Sequence, residues 1–275
     1  MNEKISCNTA QVFSSSKERE LVQVKELSAW YGKHQVLENI SFSMKAGDFI
    51  CLSGPNGCGK STLLKAMAGI LPAAGDLKLD GLDLLFLDRR ELAKKIAFLP
   101  QNRTVPEISV KNLVLHGRFP YLSYPRRYRK EDHAAAEAAM EKMGISDLAE
   151  RSLSTLSGGQ RQKVYIALAL AQDTPVVLLD EPNTFLDIAH QLQLMEQARA
   201  LATEGKTVVL VLHDLSMALE YADSLAILSQ GRCCFQGSPE EVFLSGLLDS
   251  AFSVRVGRVQ TPDGWKYYFS DKILL

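Results

Sequence analysis

Four short runs of uninterrupted apolar residues punctuate the chain: Phe49-Ile50-Cys51-Leu52, Ile96-Ala97-Phe98-Leu99, Val176-Val177-Leu178-Leu179 and Val208-Val209-Leu210-Val211-Leu212. They are continuous rather than alternating, which is the pattern of parallel strands covered on both faces by helices. Between them lie helical patterns, at about 60–70, 131–143, 159–172, 187–204 and 214–222. Alternating strand and helix predicts an α/β core. Further β-like pieces at 21–24, 36–45, 76–80, 224–236 and Val254–Phe269 surround that core, and Thr261-Pro262-Asp263-Gly264 marks a turn between two strands of the tail. Ser238-Pro239-Glu240-Glu241 reads as a helix start, with Ser as cap, Pro at the first position and Glu241 closing a capping box. Residues of about 102–155 contain no convincing strand and are expected to form a mainly helical insertion. Residues 1–20 are polar and read as a loose tail, with 21–275 as a single domain.

Composition changes this picture little. The 275 residues are 46% hydrophobic and 23% charged, enough apolar side chain for a full core. A net charge of −1 gives no pull towards nucleic acid or anionic lipid, so no nucleic-acid partner is expected. Cys7, Cys51, Cys58, Cys233 and Cys234 show no Cys-x-x-Cys spacing and no disulfide framework, which points to a reducing cytoplasm. His34, His116, His133, His190 and His213 form no ligand cluster, so no structural zinc site is expected. The N-terminal segment lacks the apolar run of a signal peptide, and nowhere does the chain hold the unbroken apolar stretch of about 18 residues that a spanning helix needs. At a membrane, another chain would have to supply the spans.

The chemistry starts at Gly54-Pro55-Asn56-Gly57-Cys58-Gly59-Lys60-Ser61-Thr62, a complete nucleotide-binding loop pattern between an apolar strand and an apolar-striped helix. Its glycines let backbone N–H groups wrap phosphates, and the helix N-terminus adds positive potential. Lys60 suits the β- and γ-phosphates of ATP and the Ser61 hydroxyl suits Mg²⁺. Asp180 and Glu181 follow the strand at 176–179, the first placed for the Mg²⁺ shell, the second for the attacking water. Alone, such an acidic strand end is as often a turn start. Gln101 and His213 also follow apolar runs, so four groups share the carboxyl edge, where open α/β sheets bind ligands. Gln101 is placed to bridge Mg²⁺ or the water, and His213 to contact the γ-phosphate. Leu156-Ser157-Gly158-Gly159-Gln160 precedes a long helical stretch; in isolation it reads as a flexible helix cap rather than a phosphate site.

Together these motifs, in this order, resemble the ATP-binding cassette (ABC) ATPase family over nearly the whole chain. Gly54–Thr62 and Val176–Glu181 match its two Walker motifs, Leu156–Gln160 its signature, Gln101 its glutamine loop and His213 its switch histidine. Asn183-Thr184-Phe185-Leu186-Asp187 matches the segment after the catalytic Glu, with Asn183 standing where Thr or Ser is usual, and Tyr31 matches the aromatic that stacks on adenine. The resemblance implies a P-loop NTPase core of mainly parallel sheet flanked by helices, with an antiparallel β subdomain and a helical subdomain. It also implies a head-to-tail homodimer, in which Ser157–Gln160 and Asp187 serve the ATP held by the second copy. Membrane permeases would dock a coupling helix on the insertion at about 102–155, a substrate-binding protein would be an indirect partner, and the chain itself would sit peripherally on the cytoplasmic face of the inner membrane.

Softer features are similar to importers of iron–siderophore, haem and cobalamin: Phe98-Leu99-Pro100-Gln101, His116-Gly117-Arg118-Phe119-Pro120-Tyr121 and Glu181–Ile188. Iron–siderophore import is the preferred reading. A soluble ABC protein would carry two cassettes or a long coiled-coil insertion, and a P-loop kinase or GTPase leaves the signature, Gln101 and His213 idle. Arg126-Arg127-Tyr128-Arg129-Lys130 is a local basic cluster, read as a solvated loop beside Glu131 and Asp132 rather than a partner contact.

Overall fold

A computed structural model describes residues 20–183, 186–262 and 264–271. The chain opens with β1 (Glu20–Tyr31) and β2 (His34–Lys45), then β3 (Phe49–Ser53) and α1 (Lys60–Met67). Next come β4 (Ala73–Leu79), β5 (Leu82–Asp83), α2 (Arg89–Ala93) and β6 (Ile96–Leu99). A helical stretch follows: α3 (Val110–Leu115), a 3-10 helix (His116–Tyr121), α4 (Lys130–Lys142) and α5 (Gly158–Ala171). The core resumes with β7 (Val176–Asp180), α6 (Ile188–Thr203), β8 (Thr207–Val211), α7 (Leu215–Tyr221), β9 (Ser224–Ser229) and β10 (Arg232–Gly237). It ends with α8 (Pro239–Leu244), α9 (Leu247–Phe252), β11 (Val254–Thr261) and β12 (Gly264–Asp271).

The main sheet has the order β10-β9-β3-β8-β7-β6. β9, β3, β8, β7 and β6 run parallel, and β10 closes one edge antiparallel. Every residue of β3, β7 and β8 is buried, which is why their sequences do not alternate. One face packs with α1 against an antiparallel sheet of order β2-β1-β4-β5. The opposite face packs against α3 to α7. Gln236 of β10 ties the two sheets, donating to the Ser43 carbonyl at 2.5 Å and accepting from the Ser43 N–H at 3.1 Å. This is the P-loop NTPase α/β arrangement.

Some expectations needed revision. The β-like stretch at 224–236 divides into β9 and β10 at a turn where Gln230 and Gly231 both take positive φ. β1 runs on to Tyr31 through a bulge, where Glu26 has φ +50° and the register shifts between Val24 and Leu27. Cys51, Cys58 and Cys233 are free thiols. The capping box at the start of α8 forms as expected: the Ser238 Oγ accepts from the Glu241 N–H, and the Glu241 carboxylate accepts from the Ser238 N–H. Among the described residues no helix is long and apolar enough to cross a membrane. The expected tail lies outside the described residues up to Glu20, as do Thr184 and Phe185.

Candidate active site

The loop from Gly54 to Gly59 joins the buried strand β3 to α1. Its glycines adopt φ of +152° at Gly54, +77° at Gly57 and +109° at Gly59, which side chains disfavour. A Cβ on Gly54 would stand 2.1 Å from the Leu228 carbonyl oxygen, so the loop lies directly on β9. Lys60 is buried, and its ammonium donates to the carbonyls of Gly54 at 2.8 Å and Pro55 at 3.1 Å, closing the loop from within. The Ser61 hydroxyl donates to Asp180 Oδ1 at 2.9 Å, so two motifs 119 residues apart meet. Both are hard oxygen donors of the kind that suits Mg²⁺.

Parallel pairing aligns the strand ends that carry the rest. Leu99 lies beside Leu179, Asp180 beside Val211, and Val211 beside Leu52. Gln101, Asp180, Glu181 and His213 therefore leave the sheet at the same edge as the phosphate loop. Glu181 is bonded from two sides. The Gln101 amide donates to one carboxylate oxygen, and His213 Nε2 lies 2.6 Å from the other. Glu181 also has φ +48°, a strained conformation for a side-chain-bearing residue and one that collects at functional positions. Asp180 is almost wholly buried. Burial pushes its carboxyl above the ordinary range, and the Ser61 hydrogen bond, next in size, pulls against that push.

Sequence reasoning missed Arg103. Its Nε donates to the Pro100 carbonyl at 2.7 Å and its guanidinium to Gln162 Oε1 at 2.8 Å, while its cation lies 4.8 Å over the Tyr165 ring. Arg103 thus fastens the segment carrying Gln101 to α5. No motif announces it; the only signal is a basic residue two places after the glutamine.

The signature turn starts α5. Ser157 Oγ accepts from the Gln160 N–H at 3.2 Å and Gln160 Oε1 accepts from the Ser157 N–H at 3.1 Å. This capping box leaves the N–H groups of Gly158 and Gly159 as the helix-start donors, and a Cβ on Gly158 would meet nothing within 4 Å. Among the described residues no hydrogen bond joins this turn to the phosphate loop. Asp187 caps α6, and the hydrogen bonds from His190 hold its carboxyl below the ordinary range. Tyr31 is half exposed, with the Lys65 ammonium 3.5 Å from its hydroxyl, and its ring remains available as a platform beside α1. In the basic cluster, Arg126 lies 4.9 Å over the Phe119 ring and the Arg129 N–H donates to Asp132.

The arrangement offers an N–H-lined anion cradle with a cation, oxygen donors for a divalent ion, and a carboxylate held where it could orient and deprotonate an attacking water. Comparison with known proteins agrees with that chemistry. The family described as ABC transporter matches residues 37–184. The chain is 43% identical over 241 residues to the ferric enterobactin transport ATP-binding protein of Escherichia coli (strain K12), covering 86% of this chain and 89% of the relative. A metal-chelate type ABC transporter solved in an inward-facing conformation superposes with a TM-score of 0.80 at 27% identity, covering 94% of this chain and 100% of that chain. A dimeric bacterial ABC transporter cassette superposes with a TM-score of 0.69 at 29% identity, covering 79% of this chain and 98% of that chain.

Proposed function

Because the chain belongs to the ABC transporter family, as an ATP-hydrolysing member, we propose that it drives import of an iron–siderophore complex through partner permeases. The observation that carries the mechanism is Glu181, set at the end of β7 and bonded by both Gln101 and His213 beside the Ser61–Asp180 pair. ATP would lie with its adenine on Tyr31 and its phosphates on the N–H groups of residues 54–62. Lys60, released from the Gly54 and Pro55 carbonyls, would turn to the β- and γ-phosphates. Ser61, Asp180 and Gln101 would hold Mg²⁺, which would neutralise phosphate charge there. Glu181 then orients and deprotonates the attacking water, and His213 steadies the γ-phosphate.

Among the described residues the signature turn makes no hydrogen bond to its own phosphate loop, and the solved relative that is a dimer supports a second copy as its recipient. Ser157–Gln160 and Asp187 of one copy would complete the ATP site of the other. The helical stretch from α3 to α4 is the surface we assign to the permease's coupling helix, and the protein would sit peripherally on the cytoplasmic face of the inner membrane. The ferric enterobactin and metal-chelate relatives favour an iron–siderophore cargo, delivered by a substrate-binding protein that this chain does not touch.

Glu181→Gln tests the chemistry. It keeps the shape of the side chain but removes the base, so ATP binding is expected to persist while hydrolysis falls about a hundredfold or more. Normal turnover by this variant would overturn the assignment of the base. Growth of a deletion strain on defined siderophores, on haem or in cobalamin-dependent metabolism tests the cargo, with loss confined to one siderophore class expected.

A further inference from the structure

Asp187 and the Ser157–Gln160 turn lie 27 residues apart at their nearest, yet one side chain links them. His190 stands in the first turn of α6, where its Nδ1 lies 2.7 Å from Asp187 Oδ1, the same oxygen that accepts its backbone N–H at 2.9 Å. The far edge of the ring faces the signature turn. A Cβ built on Gly159 would lie 3.6 Å from both Cδ2 and Nε2 of His190, ordinary van der Waals distance. Glycine at 159 leaves the ring against bare helix-start backbone, with no side chain between them.

We propose that His190 is a positioning residue that joins Asp187 and the signature turn into one unit for presentation to the second copy. The inference rests on the head-to-tail reading above. Under that reading both elements act on an ATP bound elsewhere, so each must arrive in register with the other. The cap bond fixes the imidazole relative to Asp187, and the ring edge fixes the start of α5 relative to the ring. The phosphate loop of the same copy is not part of this linkage. Loss of His190 therefore acts on the joining of two copies and not on the capture of ATP by one.

The experiment uses the full chain carrying Glu181→Gln, with ATP and Mg²⁺, and reads dimer formation by sedimentation across protein concentrations. ATP affinity of the dilute monomer is measured in parallel. Adding His190→Ala is expected to raise the concentration needed for half-dimerisation about fivefold or more with monomer ATP affinity unchanged. His190→Asn supplies a donor to Asp187 without the reach to Gly159, so it is expected to restore only part of the loss. Dimerisation of the His190→Ala form at the parent concentration overturns the proposal. So does full restoration by His190→Asn, which would leave the helix cap as the whole effect. A fall in monomer ATP affinity equal to the dimer defect overturns it as well, since the damage would then lie in the fold. If Glu181→Gln alone forms no ATP-dependent dimer, the head-to-tail reading fails first and takes this inference with it.

Discussion

Cys58 shows how a single side chain can report on the phosphate site. It is 5% exposed, its sulfur is 3.9 Å from the Lys60 ammonium, and burial raises its thiol pKa more than that cation lowers it. A raised pKa means less thiolate at any given pH. Alkylation should therefore be slower than that of a free thiol at neutral pH and should accelerate as pH climbs past the ordinary thiol range. The adduct would crowd the phosphates, so labelled protein is expected to lose ATP binding and bound ATP to slow labelling, with Cys58→Ser as the unlabelled control. Labelled protein that bound ATP normally would sink the idea. At this scale the shared edge was legible: Lys60, Ser61, Asp180, Glu181, Gln101 and His213 all lie there. Their pairings were not, because the Ser61–Asp180 and Gln101–Glu181 bonds depend on strand order, which no local pattern encodes.

Among the elements, the 3-10 helix after α3 is held unusually close to α5. A Cβ on Gly117 would come 2.4 Å from the Leu168 carbonyl oxygen and 3.2 Å from the Ala171 Cβ. Arg118 donates to the Ala171 carbonyl at 3.0 Å and Tyr121 to the Gln172 carbonyl at 2.9 Å, so the two elements cannot slide apart cheaply. Gly117→Ala is expected to cost about 1–3 kcal/mol, the usual range for an overpacked core. Thermal unfolding would show it as a Tm lower by several degrees, with ATP binding by the phosphate loop retained. An unchanged Tm would mean the helices separate freely. Legibility at this scale followed length. The buried strands and the helices α4 to α6 carry enough turns or apolar residues to declare a period. The five- and six-residue helices α2, α3 and α9 do not, and a bulge at Glu26 interrupts the alternation that would have extended β1.

On the scale of the whole molecule the question is whether one copy holds a complete site. The phosphate loop, the Mg²⁺ donors and the base share one sheet edge, while the signature turn begins a different element with its glycine N–H groups uncommitted. Complementation separates the two possibilities. Lys60→Ala removes the cation from the phosphate cradle, and Ser157→Arg blocks the signature turn, so each variant alone is expected to be inactive. In an equimolar mixture about half of the dimers pair one variant with the other. In each mixed dimer the intact phosphate loop comes from the Ser157→Arg copy and the intact signature from the Lys60→Ala copy, and these face each other at one of the two sites. The mixture should therefore regain about a quarter of wild-type ATPase activity. If each copy completed its own site, no pairing could join the two intact halves and activity would stay at the level of the separate variants. Recovery on mixing is thus a direct reading of whether the turn at Ser157 serves its own chain or its neighbour's.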